Sequence, residues 1–188
     1  LINKKEIFLI FILLSLINLS LLTFLNLKTI LLACIAIILI IFYPLTKRFL
    51  KAPQIFLGFT FAMSTLMAFT SIKNEIPDSI TWIFFFATLI WVTMFDTMYA
   101  MSDKDDDLKI GINSTAILFG NNDKIIIGFL QFVFFTIFMY IGYLKEYGSI
   151  FYLFLILAIL IGVYNQVLIN KRVPKFCIMA FKNNQYIG

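Results

Sequence analysis

The sequence predicts an all-α fold, a polytopic transmembrane helix bundle with six spans, on three observations. Of the 188 residues, 62% are apolar and only 13% charged, too little polar material to coat a soluble core of that size. Six charge-free stretches approach or exceed the ~20 residues that an α-helix needs to cross the hydrocarbon. The cations collect on one side of those stretches. A soluble globular domain, a nucleic-acid-binding module and a disordered chain are thereby excluded. No stretch alternates apolar and polar at period two, which argues against a β-barrel.

The stretches follow in order. The first, 7–27, is too long for a signal peptide and lacks a small-residue cleavage site. A tight turn at 26–28 leads to the second, 29–46. It runs into a cationic segment, 43–54, bracketed by Pro44 and Pro53, where a broken or interfacial helix is expected. The third is 52–72, and the fourth, 79–95, is the shortest at 17 residues. Between the fourth and the fifth (125–144) lies the longest connection, 96–124, whose first twelve residues, 96–107, hold five of the ten acidic residues. A turn at 145–148 precedes the sixth, 147–170.

Six spans place both termini on one side, together with the connections after the second and fourth. That side collects twelve of the fifteen cations; Lys28, Lys73 and Lys145 are the other three. The positive-inside rule makes the rich side cytoplasmic. The net charge of +5 is thus a topology signal and calls for no nucleic acid. No repeat or linker divides the chain, so residues 1–188 are expected to form one membrane domain. Histidine is absent, which removes imidazole bases and His-based metal sites. Cys34 and Cys177 match no metal or redox spacing and read as apolar filler.

The acidic segment carries the chemistry. On a helix, Asp96, Asp103 and Asp107 fall within roughly 20° of one line, with Tyr99 and Asp106 on the flank and Asp105 pointing away. Three stacked carboxylates repel unless a cation sits among them, and oxygen-only ligands suit Mg²⁺. Asp96 lies about a turn inside the membrane-facing helix, where a charge costs on the order of 2–3 kcal/mol or more. The bland alternative is a solvated acidic loop. Facing this segment on the same side are Lys47 and Arg48, with Tyr43 one turn before Lys47. Such cations suit a diphosphate; alternatively they only set topology.

These residues also carry a family resemblance. Tyr-Pro-Leu-Thr-Lys-Arg (43–48) followed by Ala-Pro-Gln-Ile-Phe-Leu-Gly (52–58) resembles a cytoplasmic loop of UbiA-type aromatic prenyltransferases. The 25 residues 96–120, from Asp-Thr-Met-Tyr-Ala-Met-Ser-Asp-Lys-Asp-Asp-Asp to Ala-Ile-Leu-Phe-Gly, resemble the second aspartate-rich motif of that family. The form of the motif, and the tail Ala-Phe-Lys-Asn-Asn-Gln-Tyr-Ile-Gly (180–188), are similar to the branch that prenylates 4-hydroxybenzoate. The resemblance covers essentially the whole chain. It implies about nine spans and an earlier aspartate motif, neither of which the sequence contains in full. An incomplete copy, truncated at both ends, is therefore expected.

The resemblance implies transfer of a polyprenyl group from polyprenyl diphosphate to the 4-hydroxybenzoate carbon ortho to the hydroxyl, within a lipid bilayer and on the pathway to ubiquinone. It implies Mg²⁺ on Asp103 and Asp107, with Asp106 as helper, and Asp96 on metal or orienting the acceptor. Lys47 and Arg48 would contact diphosphate or the benzoate carboxylate, Tyr43 would support them, and Tyr99 and Lys104 would line the substrate site. A bacterial inner membrane with a cytoplasmic active face is the expected setting. Two alternatives stay open at this point: another aromatic acceptor, and a small transporter or ion-conducting subunit using Asp96.

Overall fold

The computed structural model describes residues 3–188. Among them the chain forms eight α-helices and no strand: α1 (Lys4–Leu22), α2 (Leu27–Phe49), α3 (Pro53–Lys73), α4 (Ser79–Ile110), α5 (Thr115–Phe119), α6 (Asp123–Leu144), α7 (Ser149–Ile169) and α8 (Pro174–Asn183). Six segments are long and apolar enough to cross a membrane, at the six predicted places. The chain is a multi-pass membrane protein.

Short polar side chains start these helices by satisfying backbone N–H groups that have no intrahelical partner. Asn3 and Glu6 form a reciprocal capping box on α1. Asn26 accepts from the Thr29 N–H at 3.1 Å at the start of α2, and the first span has already ended at Leu22, earlier than expected, with Thr23 as its C-cap. Asp78 accepts from the Thr81 N–H at 2.8 Å and from its hydroxyl at 2.6 Å. Pro53 and Pro174 occupy the first turns of α3 and α8, where a missing N–H costs nothing.

Two expectations need correction. Pro44 does not break α2, which continues through it to Phe49. The end is set further on, where the Leu50 N–H reaches the Thr46 carbonyl at 2.7 Å and the Thr46 hydroxyl donates to the Tyr43 carbonyl at 2.6 Å. The helix of the fourth stretch also does not end at 95: α4 runs unbroken to Ile110, so the acidic segment is helical, as its layout on one face supposed.

All three apolar clusters contain residues of α4. Met94, Met98 and Met101 pack with Ile127, Cys177 and Ala180 of α6 and α8. Phe85 packs with Ala62, Met63 and Leu66 of α3. Ala87 meets Phe134, Phe135 and Leu155 of α6 and α7. By contrast, α1 buries none of its residues.

The α3–α4 crossing is close because Gly58 has no side chain. A Cβ there would stand 2.6 Å from the Leu89 carbonyl oxygen and 2.8 Å from the Thr93 hydroxyl. Small residues serve membrane helices in this way, letting backbones touch. Gly58→Ala is therefore expected to force the two helices apart and cost about 1–3 kcal/mol. A lowered unfolding midpoint in detergent would show this; an unchanged midpoint would mean that the crossing is looser than described.

Candidate active site

At 1.5 Å per residue the 32 residues of α4 extend about 48 Å, against a hydrocarbon thickness of about 30 Å. Its first part crosses the membrane, and its last dozen or so residues project beyond it carrying the acidic segment. Gly111, at φ 71°, closes the helix in the left-handed conformation that glycine adopts readily.

The returning chain is fastened to the α2–α3 turn. The Asn113 N–H donates to the Lys47 carbonyl at 2.9 Å. The Thr115 N–H donates to Gln54 Oε1 at 2.8 Å, and the Thr97 and Thr115 hydroxyls lie 2.7 Å apart. Gln54, Thr97, Ser114 and Thr115 are all buried. This polar latch makes the end of α2, the start of α3, the outer part of α4 and the start of α5 one unit.

The latch brings Lys47 into the field of the acidic face. Its charge acts on both Asp96 and Asp107, and Asp103 acts on the same two carboxylates. Burial holds the Asp107 carboxyl above the usual carboxylate range, reinforced by Asp103 and Asp106 and opposed by Lys47. The Tyr99 hydroxyl stands beside Asp103. Lys47 also rides above the Tyr43 ring, 6.0 Å from its centre. Asp96, Asp103, Asp107, Lys47 and Tyr43 are half-buried, as befits side chains lining the edge of a site. Trp91, Phe95, Tyr99 and Phe181 form an aromatic row alongside: Phe95 meets Trp91 edge to face with ring centres 5.1 Å apart, and Phe181 lies tilted against Phe95 and Tyr99 at 5.7 and 5.2 Å.

Several residues do not join this group. Asp105 is exposed, as the helical spacing requires. Asp106, expected as a helper ligand, is on the solvent side, where it accepts from Lys109 Nζ at 2.9 Å. Arg48 is exposed. Lys104 turns aside to donate to the Gly120 carbonyl at 3.1 Å and lies 3.9 Å from Asp123. The expected trio also narrows. Among the described residues no three acidic or thiol groups gather tightly enough to hold a metal ion by themselves, and Asp103 and Asp107 are left as an i,i+4 pair.

The sequence reading missed the latch and the buried Asp123, whose carboxylate accepts from Arg172 Nε at 2.9 Å and Nη2 at 2.6 Å. A carboxylate at the very start of an apolar run was the available signal for Asp123. Nothing comparable marked Gln54 or the threonines. A cavity of about 510 Å³ lies elsewhere, between α6 and α7, and includes Gln131 and Gln166 but no ionisable group. It is apolar membrane surface without the charges that diphosphate chemistry needs.

Comparison with known proteins agrees with this geometry. The UbiA prenyltransferase family profile matches residues 1–186. The chain is 42% identical over 187 residues to the 4-hydroxybenzoate octaprenyltransferases of Aeromonas hydrophila and Coxiella burnetii. The match takes in 100% of this chain and 65% of each relative, so the chain spans slightly less than two thirds of their length. The apo structure of a UbiA homolog from Aeropyrum pernix K1 superposes with a TM-score of 0.80 at 21% identity, over 100% of this chain and 71% of that one. That likeness is one of fold.

The latch can be tested apart from any reaction. Gln54→Leu removes the acceptor for the Thr115 N–H and leaves that group buried and unpaired, at a cost of about 1–3 kcal/mol. The expected result is a lower unfolding midpoint than for wild type, with Ile55→Leu at the exposed neighbouring position as a silent control. Equal midpoints for Gln54→Leu and wild type would remove the latch from the account.

Proposed function

The chain belongs to the UbiA prenyltransferase family, and we propose that it serves the transfer of a polyprenyl group from polyprenyl diphosphate to 4-hydroxybenzoate. One observation carries this reading. The Asn113–Lys47 backbone bond sets a cation opposite a pair of carboxylates at the membrane face, which is the charge pattern that a metal-bound diphosphate requires. The names of the relatives support the acceptor.

The donor set fits Mg²⁺. Asp103 and Asp107 offer carboxylate oxygens one turn apart, with no imidazole in the chain and no thiol among the acids. Mg²⁺ keeps several waters and completes its shell with substrate phosphate oxygens, so two protein carboxylates are a sufficient contribution from one element. Held there, it would neutralise charge developing on the departing diphosphate. Lys47 adds a point charge to the same oxygens, and Arg48 at the exposed rim meets either diphosphate or the acceptor carboxylate.

Ionisation breaks the allylic C–O bond and leaves a carbocation. The aromatic row of Trp91, Phe95 and Tyr99 offers it ring faces, and the apolar surroundings exclude the water that would capture it. Asp96, next to Phe95, orients the acceptor phenol by accepting its hydrogen bond. The ring carbon ortho to the hydroxyl then forms the new C–C bond and passes its proton to the released diphosphate, which restores the aromatic ring. Tyr43 supports Lys47. Catalysis of this kind needs no side-chain nucleophile; it rests on placed charge. The setting proposed is a bacterial inner membrane with the site on the cytoplasmic face, as the cation distribution requires, and the product belongs to ubiquinone synthesis.

The assay is transfer of octaprenyl diphosphate to labelled 4-hydroxybenzoate by membranes carrying the protein, with and without a chelator. Chelation should abolish transfer, as should Asp103→Ala and Asp107→Ala, each by a hundredfold or more (about 3 kcal/mol). Asp105→Ala and Asp106→Ala should remain near wild type, because both carboxylates face solvent. Equal losses at all four positions, or transfer that survives chelation, would refute the assignment. Use of a naphthoate in preference to 4-hydroxybenzoate would move the protein to another acceptor class.

A further inference from the structure

Asp123 is fully buried and is the first residue of α6. Its carboxylate is surrounded by donors: Arg172 Nε at 2.9 and 3.1 Å, Arg172 Nη2 at 2.6 Å and the Lys124 N–H at 2.7 Å. Lys104 Nζ stands 3.9 Å away. The two cations bind further into the same corner. Arg172 Nη2 donates to the Asn121 carbonyl at 2.8 Å, and Lys104 Nζ to the Gly120 carbonyl at 3.1 Å. Lys124 Nζ in turn reaches the Asn170 carbonyl and side chain at 3.1 and 3.0 Å.

Four parts of the chain meet here: the projecting end of α4, the Gly120–Asn122 turn, the start of α6 and the α7–α8 connection. Arg172 reaches its position with φ at 53°, a left-handed conformation that a non-glycine residue keeps only where its surroundings fix it. The next element, α8, lays Cys177 and Ala180 onto Met94, Met98 and Met101 of α4. Lys104 follows Asp103 directly, and its contacts with the Gly120 carbonyl and Asp123 tie the acidic segment to this corner.

We propose that Lys104, Asp123 and Arg172 form a clasp that fixes the rotation of the outer part of α4, so that Asp103 and Asp107 face Lys47. The proposal rests on the reading of Asp103 and Asp107 as cation ligands, and it makes Lys104, Asp123 and Arg172 positioning residues. A projecting helix end has no lipid or bundle on most sides to orient it. The Asn113–Lys47 bond restrains its far side, and the clasp restrains the near one. Groups one step behind metal ligands, when removed, commonly weaken binding by 10- to 100-fold.

Lys104→Met gives the discriminating sign. Loss of a positive charge beside Asp103 would by electrostatics alone tighten cation binding; loss of a clasp should weaken it. Mn²⁺, followed by its free paramagnetic signal, is the probe, with the protein in phosphatidylcholine nanodiscs. Wild type should bind Mn²⁺ in a way that Asp103→Ala removes. Lys104→Met should bind about tenfold more weakly, and Lys104→Arg should recover most of the loss. Arg172→Lys, which cannot form the same fork, should resemble Lys104→Met. Unchanged or tighter binding by Lys104→Met would overturn the proposal.

Amide hydrogen exchange over residues 103–110 decides the same question without metal. Exchange there should quicken in Lys104→Met and Asp123→Asn but not in Lys109→Met, whose partner Asp106 is at the surface. Unchanged exchange in Lys104→Met refutes the clasp whatever the metal does. Wild type that shows no Asp103-dependent Mn²⁺ binding refutes instead the ligand reading on which its purpose rests.

Discussion

The structure depends on one helix being longer than the membrane is thick. Elsewhere the spans stop close to the interface, since a further turn would carry apolar side chains into water or charges into hydrocarbon. α4 does neither. Its inner turns are apolar and enter all three packing clusters, and its outer turns change to aspartates and lysines at the point where the hydrocarbon ends. A rigid rod thus links the packed interior to the water-facing chemistry, and the bundle that grips its inner part also aims its outer part. Loops could hold the same carboxylates, but with far less control over where they point.

The division of labour between polar groups follows from that layout. Inside the bundle, hydrogen bonds join neighbouring helices: the Thr29 and Thr70 hydroxyls at 2.8 Å, and Gln131 with the Gly162 carbonyl at 3.2 Å and with Gln166 at 2.8 Å. At the cation-rich end, backbone and charge take over, through the Lys47–Asn113 bond and the carboxylate of Asp123. Asp123 is saturated by its partners; Asp103 and Asp107 are not, and that difference sets a structural carboxylate apart from the two that the proposed chemistry would use.

Much of this was legible in the sequence. Charge-free run lengths located six spans because the bilayer imposes one length on all of them. The helical phase of Asp96, Asp103 and Asp107 predicted a common face, and α4 is indeed continuous through them. The failures have physical causes. Pro44 was read as a breaker, but proline removes one hydrogen bond and crowds one carbonyl, which a helix close to its end absorbs. Lys104, which the resemblance placed in the substrate site, turns to the Gly120 carbonyl and Asp123. Its actual partner is 19 positions away, and only tertiary structure brings Asp123 within reach. The roles of Gln54, Thr97 and Thr115 were hidden for the same reason, since a buried threonine and an idle one look alike in a sequence.

The joint between Lys47 and Asn113 consists of main-chain atoms only. Its strength is therefore indifferent to which side chains stand at either position, with one exclusion: proline at 113 would have no N–H to give. The same economy leaves the lysine ammonium with no hydrogen-bond or ion-pair partner among the described residues, because its residue is anchored through the carbonyl and not through the charge. Over evolutionary time such a joint can stay shut while the side chains around it are exchanged one by one. A lineage could thus try new side chains at this rim without first having to rebuild the frame that presents them.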